Sequence, residues 1–122
     1  MAKVLVIDDD ELVRSLLKTV LEEAGHEVAE AADGNTGLLL CRSHDIDLVI
    51  TDILMPEADG SWAIRRLKRD FPRITIFAMS GGGQIASSET CLSVAQRVGA
   101  AKVFEKPIAH DELLQAIDDL AD

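Results

Sequence analysis

Short apolar runs and longer amphipathic stretches alternate along the whole chain. Short runs rich in Val and Ile are typical of buried strands, whereas apolar residues at three- and four-residue spacing are typical of helices. The pattern predicts strands at 4–7, 27–31, 47–51, 74–79 and 102–105 and helices at about 10–24, 34–43, 60–70, 87–98 and 110–120. Five consecutive β-α units indicate the α/β class, with a parallel sheet that helices cover on both faces.

The first and the last predicted helices each carry a clear apolar side. Gly25 is predicted to end the first of them, because glycine commonly follows the last residue of a helix. Pro72 is expected to break the chain before the fourth strand. The apolar positions are Leu12, Leu16, Leu17, Val20 and Leu21 in the first helix and Leu113, Leu114, Ile117 and Leu120 in the last.

Length and composition narrow the range of functions. The 122 residues suit one ordinary domain, so we expect a single domain over 1–122 with no output domain. No apolar run approaches the roughly 18 residues that a membrane span requires, and the N-terminus lacks the pattern of a signal peptide. A net charge of −10 argues against direct binding of nucleic acid. We therefore expect a cytoplasmic protein.

Four of the apolar runs end at residues that can handle a phosphoryl group. Asp8 and Asp9 follow the first strand, Asp52 follows the third, Ser80 follows the fourth and Lys106 follows the fifth. In an open parallel sheet, residues just past the carboxyl ends of the strands converge on one crevice. We therefore expect three carboxylates, a hydroxyl and an ammonium group in a single pocket.

These groups suit a reaction of a carboxylate with phosphate. Carboxylates held close together repel one another unless a cation lies among them, and Mg²⁺ prefers such oxygen ligands. A carboxylate can also act as a nucleophile and form an aspartyl phosphate when nearby positive charge offsets the phosphoryl oxygens. Lys106 offers that charge, and Ser80 offers a hydrogen bond.

Four motifs around these residues occur together, in the order known from one family. They are VIDDDE around Asp8 and Asp9, TDILMPEADG at 51–60, MSGGG at 79–83 and EKPI at 105–108. With them the chain resembles the receiver domains of two-component response regulators, close to the stand-alone, CheY-like members. The resemblance covers the whole chain and implies a flavodoxin-like, doubly wound sheet of five parallel strands in the order 2-1-3-4-5.

The resemblance also implies a role for each residue of the pocket. Asp52 would be the phosphoacceptor, Ser80 would take the Ser/Thr switch position and Lys106 would be the invariant lysine. Mg²⁺, or Mn²⁺ in its place, would be held by Asp8, Asp9, Asp52 and the backbone carbonyl of Leu54.

By the same resemblance, the partners are other proteins. The phosphoryl donor would be a histidine kinase or a histidine phosphotransfer protein. The target would bind the face formed by the predicted helix at 87–98, the last strand and the last helix. No contact with nucleic acid or membrane is expected. The domain would not be an enzyme for an external substrate, since it would catalyse only its own phosphorylation and dephosphorylation.

Three other functions share part of the pattern. A haloacid-dehalogenase-type phosphatase also has an Asp nucleophile after a strand, but its general acid would stand at position 54, where this chain has Leu54. A flavodoxin-like electron carrier would bind phosphate in the first loop, where this chain has four consecutive acids. A degenerate receiver that only binds partners usually lacks the acceptor or the lysine, and this chain has both Asp52 and Lys106.

Some residues suit a structural role or depart from the family pattern. Asp10 is closest to the start of the first helix and is predicted to cap it, so we leave it out of the metal site. Cys41 and Cys91 lie on predicted helices without metal-ligand spacing and are expected to be half-buried, reduced thiols. Val103 stands where many receivers have an aromatic residue, and Phe104 should point to the opposite side of the strand. A switch based on an aromatic rotamer is therefore not expected.

Overall fold

Strands and helices alternate in the computed structural model, which describes residues 2–52, 60–80 and 99–120. The elements are β1 (Lys3–Ile7), α1 (Glu11–Glu23), β2 (Glu27–Ala31), α2 (Gly34–Ser43), β3 (Leu48–Asp52), α3 (Gly60–Asp70), β4 (Thr75–Ser80), β5 (Lys102–Glu105) and α4 (His110–Leu120). The predicted helix at 87–98 lies outside the described residues. No described helix has the length and apolar character that crossing a membrane requires.

All five strands are parallel and lie in the order β2-β1-β3-β4-β5, which confirms the predicted sheet. β1 and β3 are direct neighbours, and the strand order reverses between them. β2 lies on one side of β1, and β3, β4 and β5 follow on the other side. Ile7 pairs with Thr51 in the register of β1 and β3, so Asp8 and Asp52 follow side by side. A crevice outside the carboxyl ends of the strands is expected at this switch point.

Two apolar layers enclose the sheet, because successive side chains of a strand point to opposite faces. Leu5 and Ile7 of β1 belong to the layer that α2 and α3 cover. Val4 and Val6 belong to the other layer, which α1 and α4 cover. Fully burying a side chain of this size contributes about 1.5–3 kcal/mol. The central strands are therefore enclosed between two apolar layers, and the candidate site residues stand at their ends.

The apolar side of α1 differs from the prediction. Leu17 and Leu21 are buried, but Leu12 is 80% exposed and Leu16 is 52% exposed. The buried positions are four residues apart and lie close to one line along the helix, whereas Leu16 lies about 100° and Leu12 about 140° around the helix from Leu17. The prediction that these two leucines join the apolar side is therefore wrong. Leu120 of α4 is also exposed.

The ends of α1 follow the local rules. The Asp10 carboxylate accepts hydrogen bonds from the backbone N–H groups of Leu12, at 2.9 Å, and Val13, at 3.4 Å, which confirms Asp10 as the cap. After the helix, Gly25 has a φ of +96°, a conformation that residues with a side chain rarely adopt. The helix therefore starts immediately after the acidic residues of the first loop.

Candidate functional site

Asp8 stands directly after β1 and is fully buried. Its backbone N–H donates to the carbonyl of Ala31, at 3.1 Å, and its Oδ1 accepts the backbone N–H of Asp10, at 2.8 Å. Its own carbonyl accepts a hydrogen bond from Nη1 of Arg14, at 2.7 Å. The direction of the Asp8 side chain is therefore determined by contacts on three of its polar atoms.

Asp52 is the last residue of β3, and only 4% of it is exposed. Its carboxylate meets the side chain of Lys106, which follows β5 and precedes a cis peptide bond to Pro107. The Lys106 ammonium donates a hydrogen bond to Oδ2 of Asp52, with Nζ and Oδ2 2.7 Å apart. The same Nζ lies 2.7 Å from Oδ2 of Asp8. One ammonium group thus bridges two buried carboxylates from different strands.

This bridge determines the charge of Lys106. Burial by itself would lower the pKa of the Lys106 ammonium, but the hydrogen bonds and the attraction of Asp52 and Asp8 outweigh it and raise that pKa above its ordinary value of 10.5. Lys106 is therefore a positive charge at neutral pH, fixed beside the Asp52 carboxylate.

The site also contains a cluster of oxygen donors that suits a divalent cation. One carboxylate oxygen from each of Asp8, Asp9 and Asp52 lies within 4.8 Å of the other two. Asp8 and Asp52 are buried, and Asp9 is exposed. Among the described residues, Oδ2 of Asp8 has its ion pair with Lys106 and no further hydrogen-bond partner. After pairing with one ammonium, three carboxylates keep an excess of negative charge, so the residues present fit Mg²⁺.

The structure thus brings together four of the predicted site residues: Asp8, Asp9, Asp52 and Lys106. Ser80 is the last residue of β4 and pairs with Glu105, but its side chain lies outside what the structure describes. Leu54 also lies outside the described residues. The chemical roles of all six residues stay predictions.

Little in the sequence indicates a role for Arg14, although its side chain donates a hydrogen bond to the backbone carbonyl of Asp8. Arg14 lies one helical turn after the cap residue Asp10, on the side of α1 that faces the end of β2. Glu30 of β2 holds the other side of its guanidinium, with Nε and Oε1 3.5 Å apart. The only signal in the sequence was a positively charged residue four positions after Asp10, and this signal is weak.

An apolar cleft of about 250 Å³ lies beside the site. Lys106 and Pro107 form part of its wall, so the cleft adjoins the ammonium that contacts Asp52. The exposed Leu16 is also in the wall, and the more exposed Leu12 lies one turn before it on α1. The remaining lining residues are Val13, Leu17, Met79, Ile108 and His110.

Val103, which stands where many receivers have an aromatic residue, and its neighbour Phe104 lie on opposite faces of the sheet, as expected. Val103 packs against the layer under α2 and α3, and Phe104 packs against the other layer. The ring of Phe104 is tilted against that of Phe77, with centroids 5.5 Å apart. Phe104 is therefore held by the core of the domain and does not substitute for an aromatic residue at position 103.

Cys41 is a free thiol, in agreement with the expected reduced state. Its side chain is buried, more deeply than the predicted half-burial, and burial raises the pKa of the Cys41 thiol to about 11. Because the thiolate is the reactive form, this thiol is unreactive at neutral pH. Cys91 lies outside the described residues.

Comparisons with known proteins agree with this geometry. The family model for the response regulator receiver domain matches residues 4–118. The chemotaxis protein CheY of Bacillus subtilis is 33% identical over 117 residues, which are 95% of this chain and 94% of that protein. The CAI-1 autoinducer sensor kinase/phosphatase CqsS of Vibrio cholerae is 33% identical over 118 residues, and the match covers only 17% of its length. The solved structure of a response regulator receiver domain protein from Clostridium thermocellum is 31% identical, with a TM-score of 0.87 over 98% of this chain and 93% of that one.

Proposed function

Because the chain belongs to the family of response regulator receiver domains, we propose that it accepts a phosphoryl group on Asp52 and signals through contacts with other proteins. The donor is a phosphohistidine of a histidine kinase or a histidine phosphotransfer protein. One observation carries the proposal: the Lys106 ammonium lies 2.7 Å from Oδ2 of Asp52 and 2.7 Å from Oδ2 of Asp8. A carboxylate beside a fixed cation is suited to become an acyl phosphate.

The transfer requires few groups of the protein. An oxygen of Asp52 attacks the phosphorus, and the new O–P bond forms as the P–N bond of the phosphohistidine breaks. The electron pair of the broken bond stays on the imidazole nitrogen of the donor. Lys106 offsets negative charge on the phosphoryl oxygens, because its ammonium is already held beside Asp52. We assign to the Ser80 hydroxyl a hydrogen bond to one of these oxygens, on the resemblance of the 79–83 motif.

We further propose that Asp8, Asp9, Asp52 and the backbone carbonyl of Leu54 hold Mg²⁺ or Mn²⁺. The mutual distances of the three carboxylates support this assignment. When bound, the cation neutralises charge that the ammonium alone leaves on the carboxylates and the phosphoryl group. The protein turns over no external substrate. It catalyses only the phosphorylation of its own aspartate and the hydrolysis of the aspartyl phosphate that results. Its place is the cytoplasm, where the ATP that supplies a histidine kinase is found.

The phosphohistidine donor is expected to bind the apolar cleft between α1 and Lys106. A donor must place its phosphoryl group at Asp52, so its contact surface has to border the carboxyl edge of the sheet. The cleft adjoins Lys106, and Leu12 and Leu16 continue its apolar surface outward. A contiguous apolar surface that is exposed and bordered by charged residues is a candidate protein contact.

The target is expected to bind the face of β5 and α4, to which the resemblance to receiver domains adds the predicted helix at 87–98. In the described part of the chain this face has an open cleft of about 430 Å³, with Phe104 in its lining. The charged residues of the cleft are Lys102, Asp111, Glu112 and Asp119. Three carboxylates against one ammonium favour a basic segment of the target.

The acceptor assignment is tested by incubation with acetyl phosphate and Mg²⁺, followed by intact mass. Wild type is expected to gain one phosphoryl group and Asp52→Asn none. Asp10→Asn is the matched control: it removes one negative charge close to the site, and Asn also caps a helix well. It should gain the phosphoryl group like wild type. An adduct of equal yield in Asp52→Asn would refute the assignment.

A further inference from the structure

Arg14 connects the first helix to the proposed metal ligands. Its Nη1 donates a 2.7 Å hydrogen bond to the carbonyl oxygen of Asp8, and only 17% of the side chain is exposed. On its other side the guanidinium contacts Glu30 of β2. A charged donor in a fixed position makes one of the stronger kinds of hydrogen bond in proteins. Arg14 therefore links α1 to the end of β2 and to the start of the first loop.

The hydrogen bond from Arg14 affects the direction of one carboxylate oxygen of Asp8. The backbone N–H of Asp8 is bound to Ala31, its carbonyl is bound to Arg14, and its Oδ1 is bound to the N–H of Asp10. These three contacts orient the fourth polar atom, Oδ2, toward Lys106 and the acidic cluster. Partners behind a metal ligand commonly set its orientation in this way.

We propose that Arg14 is a positioning residue for the divalent cation: by holding the Asp8 carbonyl, it keeps Oδ2 of Asp8 directed into the acidic cluster. The inference rests on the proposed role of Asp8 as a metal ligand. Arg14 acts through Asp8 and has no contact of its own with the cation or with the phosphoryl group.

A direct role of Arg14 in binding the phosphoryl donor is less consistent with its surroundings. Arg14 lines an open cleft of about 330 Å³ together with Glu11 and Glu30. Two carboxylates in that cleft repel an anion. The guanidinium is already engaged by Glu30 and by the Asp8 carbonyl. Its contacts thus favour an internal, orienting function.

The proposal and simple electrostatics predict opposite signs. Arg14 is a cation close to the acidic cluster, so its removal by charge alone should make Mg²⁺ bind more tightly. If Arg14 orients Asp8, its removal should make Mg²⁺ bind more weakly, because one ligand is no longer preorganised. The affinity for Mg²⁺ therefore separates the two effects.

The experiment is a Mg²⁺ titration of wild type, Arg14→Met and Lys18→Met, followed by the amide NMR signals of residues 8–10 and 52. Lys18 is the matched control, since it lies on the same helix and pairs with the same Glu30, at 3.6 Å. The described contacts of Lys18 do not include Asp8. We expect about tenfold weaker Mg²⁺ binding in Arg14→Met, unchanged binding in Lys18→Met and an intermediate affinity in Arg14→Lys. At saturating Mg²⁺, Arg14→Met should react with acetyl phosphate at the wild-type rate.

Each other outcome overturns the inference. Equal or tighter Mg²⁺ binding in Arg14→Met would exclude an orienting role, and equal weakening in Lys18→Met would indicate a general effect at Glu30. A rate that stays low at saturating Mg²⁺ would indicate contact with the phosphoryl donor. The proposed function fails separately: in that case wild type itself shows no Mg²⁺ response at residues 8, 9 and 52.

Discussion

The same residue types stand at both ends of two strands, but their surroundings differ. β3 has Asp47 just before its first residue and Asp52 as its last, and β5 begins at Lys102 and has Lys106 just after its end. Asp47 and Lys102 are exposed at the amino edge of the sheet, and Asp47 accepts the backbone N–H of Lys3, at 2.8 Å. At the carboxyl edge, Asp52 is buried and contacts the Lys106 ammonium at 2.7 Å.

Burial and convergence of charged side chains, and not residue type, therefore distinguish the candidate site. Size of a cavity does not distinguish it either. A cleft of about 520 Å³ lies near the amino edge, between the end of α2 and the turn after α3, and is larger than the cleft of about 250 Å³ beside Lys106. Chemistry is expected where charged groups are buried against each other, because water screens such charges least.

The two lysines of β5 provide the test with the largest expected effect. Lys106→Met should lower the rate of phosphorylation by acetyl phosphate about a hundredfold, because a fixed cation beside Asp52, the proposed acceptor, is lost. Lys102→Met removes the same charge from the other end of the strand and should leave this rate unchanged. The rates are measured by intact mass at saturating Mg²⁺. Equal rates in the two variants would contradict the assigned role of Lys106.

The same pair tests the stabilising effect of the ion pair. Lys106→Met should lower the free energy of unfolding by about 2 kcal/mol at pH 7, less than for a fully enclosed pair because the Lys106 side chain is 20% exposed. The pKa of Lys106 is raised in the folded state, so its contribution is complete below its ordinary pKa of 10.5 and is lost as the pH rises through the folded value.

Urea unfolding at pH 8 and pH 11 measures this dependence. The difference between wild type and Lys106→Met should be smaller at pH 11 than at pH 8. Lys102→Met should differ little from wild type at either pH. A difference for Lys106→Met that grows with pH would show that the ammonium does not stabilise the folded state.

The smallest of these effects concerns the surface beside the site. Leu16→Ser should lower phosphotransfer from a purified phosphohistidine donor protein about tenfold, because an apolar contact is lost, and should leave the reaction with acetyl phosphate unchanged. Leu39→Ser is the control, since Leu39 is also exposed but lies on α2. If both variants transfer like wild type, the donor uses another surface.

Most of the fold could be predicted from periodicity. The boundaries of β2, α2, α3 and α4 agree with the prediction, and β3 and β4 are shifted by one residue. Asp52 joins β3 because it pairs with Met79, and Ser80 joins β4 because it pairs with Glu105. Such pairing depends on neighbouring strands, which a single stretch of sequence does not contain. The exposure of Leu12 and Leu16 escaped prediction because a count of three- and four-residue spacings leaves out the angle of these residues around the helix from Leu17 and Leu21.

For the candidate site too, one part could be predicted from the sequence and another part could not. The convergence of Asp8, Asp9, Asp52 and Lys106 could be predicted because each follows a strand, and parallel strands end at one edge. The contacts of Arg14 could not, since they depend on how closely the first turn of α1 approaches β1 and β2. Helical spacing indicates on which side of α1 Arg14 lies, but it does not give the distance between Arg14 and Asp8.

The residue types at the ends of the strands, the α/β class and the resemblance to receiver domains all follow from the order of amino acids alone. Three-dimensional packing was needed to show that Lys106 bridges Asp8 and Asp52, that Arg14 holds the Asp8 carbonyl and that two leucines of α1 stay exposed beside the site. The reason is that local sequence patterns extend over only a few residues, whereas these contacts depend on how separate parts of the chain pack together. The direction of a side chain follows from a period of two or 3.6 residues, whereas a contact between residues 54 positions apart follows from strand register and helix packing.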